Sequence, residues 1–92
     1  MKKPHTFKLI NGTFTANDVR KILMEMIQSK INFHMREIHS MEERGGGTTS
    51  RSEKRIVQLK KTAETLKKVL AKAEEKEINL KISATVQIEF LN

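Results

Sequence analysis

The sequence predicts an α+β fold of order β-α-α-β, in which an antiparallel two-stranded sheet packs on a long antiparallel helical hairpin. Three observations carry this. Leu80 to Leu91 alternates strictly between apolar and polar residues, with Leu80, Ile82, Ala84, Val86, Ile88 and Phe90 facing one way, the period of a half-buried strand. Two longer stretches, about 16–44 and 51–77, repeat apolar residues at spacings of three and four, the spacing of a helical stripe. Gly45-Gly46-Gly47 stands between them, and three consecutive glycines prevent one continuous helix.

Thr6 to Ile10 alternates as well and begins a first strand, expected over about 6–14. Asn11-Gly12 interrupts it, and we read the pair as a bulge, which places Phe7, Leu9 and Phe14 on one face. Thr15 then has the side chain of a helix cap, and Asp18 at the third helical position suits the positive helix end. Phe14 and Val19 are spaced as a hydrophobic staple around that cap. At the far side of the glycine loop (residues 45–49), Ser50 followed by Glu53 reads as a capping box for the second helix.

The helical stripes can be matched to each other. Met24, Ile27, Ile31, His34, Ile38 and Met41 recur along the first helix; Ile56, Leu59, Ala63, Leu66, Leu70 and Ala73 recur along the second. Both resemble coiled-coil seams. Folding them back on the loop pairs Met41 with Ile56, His34 with Ala63 and Met24 with Ala73. Each helix would span roughly 40 Å and the last strand roughly 36 Å, so the sheet is expected to lie along the whole hairpin.

Ninety-two residues make one domain the expectation. The chain has no cysteine, so disulfides, thiolate metal sites and cysteine nucleophiles are excluded. Residues 1–5 are basic, but no apolar segment of secretory or membrane-spanning length follows, so a cytoplasmic location is expected. His5, His34 and His39 show no metal-ligand spacing, and Asp18 is the only aspartate. The glutamates stand at helical spacings beside lysines and arginines, as solvated pairs do. No nucleophile elbow and no phosphate-loop ending occurs. These features point away from an enzyme and imply no cofactor and no metal.

Two surfaces remain. A two-stranded sheet is narrow, and the first helix carries Val19, Ile22, Leu23, Met26 and Phe33 outside its seam. We expect a self-associating or protein-binding module, a homodimer with a four-stranded sheet, using Val86, Ile88, Phe90, Met26 and Phe33. The alternative is nucleic-acid binding. Net charge is +7, and residues 51–72 hold eight basic residues against Glu53 and Glu64. Lys54, Lys61 and Lys68 recur at heptad spacing, flanked by Lys60 and Lys67, with Arg51 ahead of them. That stripe is about 21 Å long, and such spacing can track phosphates. It lacks an aromatic stacking platform, since none of the four phenylalanines lies in this helix.

Overall fold

The computed structural model describes residues 4–45 and 47–92; Lys2 and Lys3 of the basic N-terminus and Gly46 of the loop lie outside them. The element order is β1 (His5–Phe14), α1 (Ala16–Glu43), α2 (Ser50–Lys76) and β2 (Leu80–Ile88). The two strands pair antiparallel in a two-stranded sheet, and the helices form a hairpin that packs against it, so the fold is the expected α+β arrangement. Among the described residues no helix is long and apolar enough to cross a membrane.

Helix α1 begins as its sequence predicts. Thr15 is extended (φ −71°, ψ 159°) and its Oγ1 accepts from the Asp18 amide at 3.1 Å. Phe14 and Val19 belong to one apolar cluster, which closes the staple and fixes the angle at which β1 enters the helix. Helix α2 begins one residue earlier than expected. Ser50 is already helical, and Thr49 precedes it without a side-chain cap. Thr49 Oγ1 donates instead to the Glu53 carboxylate at 2.9 Å, while Thr48 Oγ1 accepts from the Ser50 amide at 3.3 Å. Helix α2 ends at Glu77 in the left-handed region (φ 54°, ψ 42°). The Ile78 amide reaches back to Ala73 O and the Glu77 amide to Glu74 O, both at 3.1 Å, the double closure of a Schellman motif.

The bulge lies elsewhere than expected. The ladder is irregular between Lys8 and Ile10, so Leu9 is the extra residue, and Gly12 keeps its partner Ile82. Phe7, Ile10, Gly12 and Phe14 therefore oppose Val86, Ala84, Ile82 and Leu80, and directly opposed residues share a face. Ile10 replaces Leu9 on the inner face. Gly12 serves close approach: a Cβ there would stand 3.3 Å from the Phe14 ring, a contact that even one methyl would crowd.

The helix register also differs. Ala16, Val19, Leu70 and Ala73 form one buried cluster, with Leu23 and Leu66 against it. Ser52 donates across the hairpin to Glu37 at 3.4 Å. These contacts set Ala16 level with Ala73, whereas the sequence pairing put Met24 there. The seam has slipped by about one heptad. A heptad pattern is unchanged by such a slip, so the stripe alone does not choose between the two. The ends choose: the expected pairing leaves the first turn of α1 without a partner, and the observed one buries Val19 there.

The sheet does not run the length of the hairpin. The molecule measures 51 × 36 × 15 Å. Two helices with axes about 8–10 Å apart do not by themselves account for the 36 Å dimension, so part of the ribbon stands off the hairpin. Leu80, Ile82 and Ala84 are half-buried where the ribbon meets the helices. Farther out on the same face, Val86, Ile88 and Phe7 are exposed.

Candidate functional site

Three surfaces are built by these elements. The first is the outer half of the ribbon. Phe7 is 55% exposed and Ile88 47% exposed, on the face that the helices cover nearer the base. Phe90 continues beyond β2, and its ring lies 5.2 Å from His5. Among the described residues both ribbon edges are unpaired, since the sheet there has two strands.

The second is on α1. Ile22, Met26, Ser29 and Phe33 line a shallow groove with Glu25 and Lys30, at spacings of four, three and four that place them on one side of the helix. Met26 and Phe33 are exposed. Lys30 Nζ stands 5.6 Å from the centre of the Phe33 ring, within reach of a cation–π contact. Of the five residues proposed from sequence for self-association, Val86, Ile88 and Phe90 thus fall on the ribbon, and Met26 and Phe33 fall on this stripe.

The third is the basic surface of α2, and here the structure divides the sequence-predicted set. Lys60, Lys61 and Lys67 line a groove whose floor is apolar, with Met24, Ile27, Ile31 and Val57. Lysine stems shield apolar surface in this way, and Lys67 also lies 3.6 Å from Glu64. Arg51 and Lys54 line a different cleft with Arg55, Gln58, Ser50, Lys30 and His34. Lys68 lines neither. Lys30 and Arg55 are members of the second cleft that sequence reasoning missed. Lys30 is on the other helix, and only the register brings it to Arg51.

His34 is shielded, with 13% of its side chain exposed, and its Nδ1 lies 3.2 Å from the Glu37 carboxylate one turn on. The slipped register moves it away from Ala63 and toward the first turns of α2. Its Nε2 is buried without a partner among the described residues. His39 pairs with Glu43 at 2.9 Å, and Arg20 with Glu74 across the open end of the hairpin. Among the described residues no three His, Cys, Asp or Glu side chains converge as metal ligands. Compared with known protein families, curated proteins and solved structures, the chain matches none.

Proposed function

We propose that the chain is a non-enzymatic interaction module that works by associating with a second copy of itself. The observation that supports this best is the surface it leaves uncovered. A folded monomer of this mass is expected to expose about 5,500 Å²; this chain exposes 7627 Å². The radius of gyration is 16.9 Å, where a compact chain of this length would have about 12 Å. A standard interface needs about 800 Å² from each partner, so the surplus is ample for one.

The contacts would come from the outer ribbon, Phe7, Val86, Ile88 and Phe90, and from Met26 and Phe33 on α1. Pairing of ribbon edges across a two-fold axis would give four strands and remove the instability of an isolated pair. Size-exclusion chromatography with light scattering and refractive-index detection tests this. The expected mass is twice 10.6 kDa, and Met26→Lys with Phe33→Lys should halve it. A monomer at every concentration up to roughly 100 μM, well above the Kd of a specific dimer, overturns the proposal. Nucleic-acid binding is supported less well, because Lys60, Lys61 and Lys67 flank an apolar floor. Absorbance at 260 nm that co-elutes until salt removes it would favour that second reading.

A further inference from the structure

We propose that the cleft between the middle of α1 and the first turns of α2 binds a phosphate group. The cleft is about 470 Å³ and is lined by Lys30 and His34 from α1 and by Ser50, Arg51, Lys54, Arg55 and Gln58 from α2. Four of these seven carry a fixed positive charge and none is acidic. Arg51 and Arg55 are the only arginines of α2, and both are here, one turn apart with Lys54 between them. Guanidinium is the side chain whose flat fork matches phosphate oxygens two at a time.

The lining of the cleft carries an excess of positive charge. None of the four cations is ion-paired among the described residues; the pairs present involve Arg20, His34, His39 and Lys67. Two carboxylates adjoin the cleft, Glu37 through His34 and Glu53 beside Lys54, and neither pairs with the four cations among the described residues. Glu37 lies against His34 Nδ1 and accepts from the Ser52 hydroxyl. Glu53 accepts from the Thr49 hydroxyl. Neighbouring like charges repel one another, and a dianion seated among the four relieves that repulsion. The cleft is also partly organised: Arg55 Nη1 donates to Gln58 Oε1 at 2.9 Å, which holds one end of the guanidinium, and its other donors have no partner among the described residues. The cleft is complete within one chain, and because Lys30 also lines the groove of Met26 and Phe33, the test turns on Arg51 and Arg55, which do not.

The phosphate could belong to a free phosphate ester or to a nucleic-acid backbone, and one experiment separates the two. The full chain is titrated calorimetrically with inorganic phosphate, with pyrophosphate and with a single-stranded oligonucleotide of about 12 nucleotides, at constant ionic strength. Two double variants run in parallel: Arg51→Gln with Arg55→Gln, and Lys21→Gln with Lys72→Gln, which removes the same charge elsewhere. All four positions are exposed, so both variants keep the fold. Saturable phosphate binding is expected, weakened about tenfold or more by loss of the two arginines, as befits lost charge-assisted hydrogen bonds, and changed less than about twofold by the other pair. If the oligonucleotide competes with phosphate and shows the same arginine dependence, the source is a nucleic-acid backbone; if only the small phosphates do, it is a free ester. Absence of saturable phosphate binding, or equal weakening in both variants, overturns the proposal.

Discussion

Leu70 is fully buried and Val19 is 1% exposed, and the two meet where the hairpin opens onto the ribbon. Leu70→Ala should cost about 2–5 kcal/mol, the range for truncating a buried leucine. Leu91→Ala, at a position 89% exposed, should change stability by less than about 0.5 kcal/mol. Urea denaturation at fixed protein concentration reads both. The two helix starts make a second contrast. Thr15→Ala removes a side-chain cap and should cost about 1 kcal/mol, whereas Thr49→Ala removes none and should stay within about 0.5 kcal/mol. At this scale the first start was legible in the sequence, because cap and staple point to the same residue. The second was misplaced by one position. Thr48, Thr49 and Ser50 are three consecutive hydroxyl residues, and which one caps depends on where Glu53 turns. Glu77 held in the left-handed region offers a gain: Glu77→Gly relieves the Cβ strain and should raise stability by about 0.5–1 kcal/mol.

All four elements were legible, with boundaries within about two residues except at the end of β2, which stops at Ile88 while the alternation runs to Leu91. What the pattern did not fix was how the elements slide. The helical seam repeats every heptad, so two registers match apolar residues equally well, and the choice lies with Val19 and Ala16 at the helix end. The chain has no native cysteine, which makes the register directly testable. Ala16→Cys with Ala73→Cys should oxidise to a disulfide. Met24→Cys with Ala73→Cys should not, because eight residues along a helix displace the thiol by about 12 Å, beyond bridging distance. The reverse result would restore the register read from the sequence. The candidate cleft was hidden for the same reason. Arg51 and Lys54 were visible as basic residues, but Lys30 joins them only after the slip.

The angle between ribbon and hairpin was the least legible feature of the whole molecule. Matching lengths allowed the sheet to lie along the helices, but alternation says which face is apolar, not how much of it is covered. The inner face is covered from Leu80 to Ala84 and open beyond. If a second copy covers the remainder, folding and association are linked, and Tm should rise with protein concentration. A Tm unchanged over a hundredfold concentration range would show that each chain folds without its partner.

The extra residue in β1 has a consequence for how the sequence can vary. Losing one residue from a strand normally turns every side chain beyond it to the opposite face. Here Lys8 pairs with Thr85 and Ile10 with Ala84, its immediate neighbour. Deleting Leu9 would therefore leave every cross-strand partner in place and turn a broken ladder into a continuous one. The chain is buffered against a deletion at Leu9, whereas loss of Asn11 or Thr13, two and four residues farther on, would bring the wrong face against Leu70. Its cost would fall on shape, since a bulge bends and twists its strand, and a straightened ribbon would meet the hairpin at a different angle.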